Sequence, residues 1–128
     1  MNEINDSKSE KDIEQLRGNI VRFLLTLTNR KELTWIKAYG GGLITVVDSM
    51  IFELKYNSMG ENYDNYSITI YIGKFIVQVI SDDPTGNVCD SEARPLMRLL
   101  YDTADEKASE KCDILDSATS LLYNRTLI

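Results

Sequence analysis

Residues 33–81 read LTWIKAYGGGLITVVDSMIFELKYNSMGENYDNYSITIYIGKFIVQVIS, and this stretch decides the fold. It is rich in β-branched and aromatic residues, the types that suit a pleated, half-buried surface. Turn-forming residues interrupt it at Gly40-Gly41-Gly42, Asp48-Ser49, residues 57–65 and Gly73-Lys74. The pieces left between the interruptions predict five short strands, over Leu33–Lys37, Leu43–Val47, Met50–Tyr56, Tyr66–Ile72 and Phe75–Ser81. In the third, Ile51, Glu53 and Lys55 alternate with Phe52, Leu54 and Tyr56, which implies one wet face and one buried face. Asp48-Ser49 and Gly73-Lys74 are short enough for tight hairpin turns, so successive strands should pair antiparallel as a meander. Beyond the last strand, Asp82–Asn87 contains Asp83-Pro84 and Thr85-Gly86 and reads as a loop.

On both sides of this stretch the period changes from two to that of a helix. Ser9 followed by Asp12 makes a weak capping box. Ile13, Leu16, Ile20, Phe23, Leu24 and Leu27 then recur at helical spacing, and the helix should end near residues 28–30. Gly18 weakens its middle without stopping the pattern. At the other end Ser91 is a candidate cap, with Pro95 tolerated in the first turn. Leu96, Leu99, Leu100, Thr103, Ala104 and Ala108 form one stripe, which resumes after residues 109–111 with Cys112, Leu115, Ala118 and Leu122. One long helix or two joined near Ser109 would both fit. The expected fold is therefore α+β: an N-terminal helix, a five-stranded antiparallel meander, and a C-terminal helix or helix pair on one sheet face. Residues 1–10 are polar and expected to be a flexible lead, with residues 11–128 as a single domain. A chain of 128 residues supports one hydrophobic core and is too short for two.

The net charge of −6 comes from 20 acids and 14 bases, unevenly spread. Ten acids and four bases lie between Asp82 and Asp116, so that segment alone sums to −6 and the remainder to zero. A nucleic-acid polymer needs a basic stripe and is an unsuitable partner. The acids could steer a basic protein, although a solvated helix face explains them more simply. No run approaches the roughly 20 apolar residues that cross a bilayer. The first residues hold no apolar signal core, so a cytoplasmic location and no membrane partner are expected. In that compartment Cys89 and Cys112 are free thiols.

The sequence contains no histidine. That removes histidine-activated nucleophiles and the commonest general base, and a zinc site would need more soft ligands than two cysteines. Asp82-Asp83 and Asp105-Glu106 are adjacent acids, but neighbours on a helix or strand point different ways. No catalytic residue, metal or cofactor is expected, and the chain reads as a binding protein. Gly40-Gly41-Gly42 lacks the following Gly-Lys-Ser/Thr of a phosphate loop and reads as a left-handed or flexible link. Ligand-binding candidates are Arg94 and Arg98, a positive pair one turn apart at a helix start that itself favours anions. Pairing of Arg98 with Asp102 is the simpler use of the second. Tyr63 and Tyr66 flank a loop tip, and Trp35 and Tyr39 are further aromatic candidates, since such rings suit stacking and interfaces. Trp35 is equally suited to the core.

A helix ending in Thr28, a strand bearing Trp35, a meander, and a final helix with Leu100-Tyr101-x-x-Ala104 together resemble small bacterial and phage or mobile-element proteins. The resemblance spans residues 20–122 and rests on core positions. It implies a conflict setting, such as anti-defence, in which the protein inhibits a partner protein or sequesters a small anionic, nucleotide-like signal. The alternatives are an immunity-type or structural protein that pairs with a toxin or with itself, and a small carboxylate-dependent enzyme. A one-sided sheet also suits a homodimer.

Overall fold

The computed structural model describes residues 9–126 except Tyr39, residues 59–63 and Pro84; within it, side chains are described for all but residues 111–118 and Ser120. The expected flexible lead falls mostly outside the described residues. The elements are α1 (Glu10–Asn29), β1 (Ile36–Lys37), β2 (Leu43–Val47), β3 (Met50–Ser58), β4 (Asp64–Ile72), β5 (Phe75–Ser81) and α2 (Arg94–Thr126). The five strands form one antiparallel sheet in sequence order, the α+β meander that the strand pattern predicts.

The turns form where the sequence places them. Asp48 turns β2 into β3 with φ 54°, and Gly73 turns β4 into β5 with φ 61°. Gly40 and Gly41 hold φ of 95° and 100°, the left-handed link expected between β1 and β2. The first strand is shorter than Leu33–Lys37. The third and fourth run into the predicted loop, where Asn57 pairs with Asn65 and Ser58 with Asp64.

One sheet face builds the core. Leu43, Leu54, Ile68 and Ile80 face one another in a single cross-strand row and are buried, with Thr45, Phe52 and Ile70 in the next. α2 packs on this face, and α1 packs beside α2. α2 is one continuous 33-residue helix, which answers the question left open at Ser109. It begins at Arg94 rather than at Ser91, because residues 91–93 form a turn in which the Ala93 and Arg94 N–H groups donate to the Asp90 carbonyl. Ser9 caps α1 as expected, its Oγ accepting from the Asp12 N–H at 3.2 Å.

Both helices present a different edge of their stripe to the core than apolar spacing alone suggests. Phe23 on α1 and Leu99 on α2 are exposed, at 66% and 49%. Among the described residues, the buried positions are Gly18, Val21, Leu24 and Thr28 on α1, and Met97, Leu100, Ala104 and Ala108 on α2, with Ala93 just before it. Among the described residues, no helix is long and apolar enough to cross a membrane.

Candidate functional site

The first turns of α2 carry Arg94, Arg98 and Tyr101 at i, i+4 and i+7, a spacing that stacks them on one helical face. Tyr101 meets the far ends of β3 and β4, where Tyr56 and Tyr66 are cross-strand partners. The three rings form a cluster, with centroids 5.1 Å apart for Tyr56–Tyr66, 5.5 Å for Tyr66–Tyr101 and 6.2 Å for Tyr56–Tyr101. These separations and tilts are those of mutually attractive aromatic pairs. Beside the cluster lies a cleft of about 360 Å³, lined by Asp64, Tyr66, Asp82, Arg94, Pro95 and Arg98.

The two arginines differ in freedom. Arg94 is anchored: its Nε donates to the Cys89 carbonyl at 3.0 Å, and its Nη2 lies 3.9 Å from the Glu14 carboxylate. Its side chain is therefore held by the loop before α2, with the Glu14 charge of α1 nearby. Arg98 is 75% exposed, and its Nε stands 3.8 Å from the Asp102 carboxylate, too far for a hydrogen bond. An exposed pair of that kind contributes little, so Arg98 can exchange Asp102 for a ligand at small cost.

The acids are fixed by the sheet. Asp82 Oδ1 accepts from the Tyr66 N–H at 3.0 Å, and the Asp82 N–H donates back to the Tyr66 carbonyl at 3.3 Å. Burial raises the Asp82 carboxyl above its usual range, opposed by the N–H of Tyr66. Hydrogen bonding to Asp64 raises the Tyr56 hydroxyl, and burial raises those of Tyr66 and Tyr101. All three phenols stay protonated at neutral pH and can donate. Among the described residues, the two guanidinium groups and two carboxylates that line the cleft sum to a formally neutral charge, with both polarities in reach. A ring-bearing ligand with one anionic group and hydrogen-bond donors matches it; a polyphosphate does not.

Of the residues singled out from the sequence, Arg94, Arg98 and Tyr66 come together here. Trp35 does not. It is 1% exposed, and its Nε1–H donates to Thr28 Oγ1 at 2.9 Å, so it is a core anchor and unable to touch a ligand. Tyr39 and Tyr63 lie outside the described residues. Sequence reasoning passed over Tyr56, Tyr101, Asp64 and Asp82 as site residues. The spacing of Tyr101 from Arg94 and Arg98 was the signal for one of them, but the strand pairing that adds the others is a long-range fact. The glycine run borders a second hollow of about 250 Å³ with Lys37, Tyr101 and Asp105, where Lys37 Nζ lies 3.8 Å from the Asp105 carboxylate. Neither a family model, a curated protein nor a solved structure matches the chain.

Proposed function

We propose that this protein is a non-enzymatic binding module that sequesters a small nucleotide-like ligand, one aromatic ring with a single anionic group, in the Tyr66–Arg94–Arg98 cleft. The observation that carries this reading is the convergence of an anchored arginine, an exposed arginine and one ring of a three-tyrosine cluster on one cleft. The ring of the ligand lies against Tyr66, the anion against Arg98 with Arg94 behind it, and a ligand N–H or O–H group meets Asp64. The setting is bacterial or phage conflict, in which holding such a signal out of solution suffices and no bond need be broken.

Isothermal titration with a nucleoside monophosphate, a cyclic monophosphate and a triphosphate tests it. One of the two monophosphates should bind, the triphosphate more weakly, and both Arg98→Ala and Tyr66→Ala should weaken binding several-fold. Absence of heat from all three at millimolar concentration removes the proposal.

A second reading has one observation in its favour. Asp102, Glu106 and Glu110 are exposed on α2 at i, i+4 and i+8, an acidic stripe that would steer a basic protein partner. Inhibition of such a partner would weaken steeply with added salt and would survive Arg98→Ala.

A further inference from the structure

We infer that the sheet face turned away from the helices is a homodimer interface, in which each copy fills a hollow on the other. That face carries Ile36, Ile44, Val46, Ile51, Tyr71 and Ile76, with Val46, Ile51, Tyr71 and Ile76 as successive partners in one cross-strand row. Val46 and Ile76 are each 59% exposed, and Ile36 is 48% exposed. Monomers rarely leave a contiguous apolar patch of more than a few hundred square ångströms in water.

Charge selects the occupant. The chain is −6 overall, so two copies repel unless they meet where the charge is absent. On this face the charged side chains of the strands are Glu53 and Lys55, which lie 3.8 Å apart and cancel. Glu53 is already 13% exposed within the single chain, and its Oε1 accepts from the Tyr71 hydroxyl at 2.8 Å. Covering the face therefore strands neither the carboxylate nor the phenol. A lipid surface would call for a rim of basic residues, and Lys55 alone does not make one.

Shape selects the arrangement. At the β1–β2 end is an apolar hollow of about 260 Å³, lined by Thr34, Ile36, Ile44, Thr45 and Val46. At the opposite edge the pairing of β4 with β5 slips by one residue, so that Ile70 opposes Gln78 while Tyr71 opposes Ile76, leaving Val77 as the extra residue of a bulge. A two-fold axis parallel to the strands sets the β5 edge of one copy over the β1–β2 end of the other. Ile76 of each copy then enters the hollow of its partner, at the same height along the strands as Val46. The sheets stack aligned, as in β-sandwiches. Four inter-strand steps of about 4.8 Å and strand lengths of about 7–30 Å give a footprint on the order of 450 Å² per copy. The pair thus covers on the order of 900 Å², above most lattice contacts and at the small end of specific interfaces.

Sedimentation velocity of the full chain across a concentration series tests this. The wild type should sediment as a dimer at tens of micromolar and dissociate on dilution. Val46→Glu and Ile76→Glu should each be monomeric with unchanged far-UV circular dichroism, because both positions are exposed in the single chain, while Phe23→Ser on α1 should remain dimeric. A monomeric wild type at hundreds of micromolar overturns the inference, leaving the face to a different protein. A dimer that persists in both glutamate variants overturns it too, since the contact is then elsewhere.

Discussion

Asp90 occupies the place where a side chain on residue 18 would stand: a Cβ built on Gly18 runs into the Asp90 carboxylate, which Arg22, one turn along α1, also grips. The Asp90 N–H donates to the Glu14 carbonyl at 3.0 Å, and Arg17 Nη1 donates to the Val88 carbonyl at 3.1 Å. The loop between β5 and α2 is thus clamped to α1 over two turns, and that clamp sets where α2, Arg94 and the cleft begin.

Helix propensity and packing make opposite predictions for Gly18→Ala. Propensity favours alanine by about 1 kcal/mol. The added methyl would displace a carboxylate that is only 16% exposed and break its pairing, and overpacking alone costs about 1–3 kcal/mol. Packing should win, with a net loss of about 1–2 kcal/mol read as a lower urea midpoint at unchanged slope. A higher midpoint would mean that Asp90 swings aside freely and that the clamp is unimportant.

Thr28 joins α1 to the strand region through one hydroxyl. It donates to the Leu24 carbonyl at 2.7 Å and accepts from Trp35 Nε1 at 2.9 Å, and both side chains are 1% exposed. Thr28→Val keeps the volume but leaves a buried indole N–H unpaired, which costs about 1–3 kcal/mol. Thr28→Ser keeps the hydroxyl and should lose less. Chemical denaturation followed by Trp35 fluorescence measures both; a smaller loss in Thr28→Val than in Thr28→Ser would show that the methyl, and not the hydrogen bond, matters there.

Cys89 is fully buried, and its sulfur contacts the Met97 sulfur at 3.7 Å. Burial pushes its thiol up to about 11, with the neighbouring Asp90 adding to the shift. In a Cys112→Ser background, Cys89 should therefore resist a thiol reagent at pH 8 until the chain is denatured. The linkage has a definite sign. An acid raised in the folded state binds its proton more tightly there, so its stabilisation is complete below the ordinary thiol value and is lost as pH climbs toward about 11. Stability should fall over that window, and less steeply in Cys89→Ala. Rapid labelling of native protein would contradict the burial.

The order of elements was legible in the sequence because it depends on local chemistry. Turn residues such as Gly73 and Asp48 and the alternation of Phe52 and Leu54 with Glu53 and Lys55 carry it without help from distant contacts. The rotation of each helix was legible only in part. Apolar spacing places Leu24, Leu100, Ala104 and Ala108 in the core, where they lie, but it also takes in Phe23 and Leu99, which are exposed, and passes over Gly18 and Thr28, which are buried against Asp90 and Trp35. The cleft was half legible for the same reason. Arg94, Arg98 and Tyr101 share a local helical spacing, whereas Asp64, Tyr66 and Asp82 join them only through the pairing of β3, β4 and β5. Trp35 shows the limit directly: its alternation could not say which face it takes, and its hydrogen bond to Thr28 does.

Charge balance in the cleft yields the sharpest prediction about its ligand. Asp82 sits there as a partly desolvated carboxylate raised above its usual range, so its charged form is already disfavoured by burial. Because the folded carboxyl is raised, its contribution to stability is complete below the ordinary aspartate value and is lost as pH rises through the folded one. Asp82→Asn removes the charge while its amide oxygen can still accept from the Tyr66 N–H, so at neutral pH the fold should be at least as stable. The cleft then changes from neutral to +1, and affinity for a single anionic group should rise by roughly two- to five-fold, the effect of one exposed charge at about 0.5–1 kcal/mol. Arg98→Glu moves the balance to −2 and should abolish binding, with the loss in Arg98→Ala between the two. If titration instead finds Asp82→Asn weaker than the wild type, the carboxylate is accepting a hydrogen bond from the ligand, and the ligand's donor groups, more than its anion, hold it in the cleft.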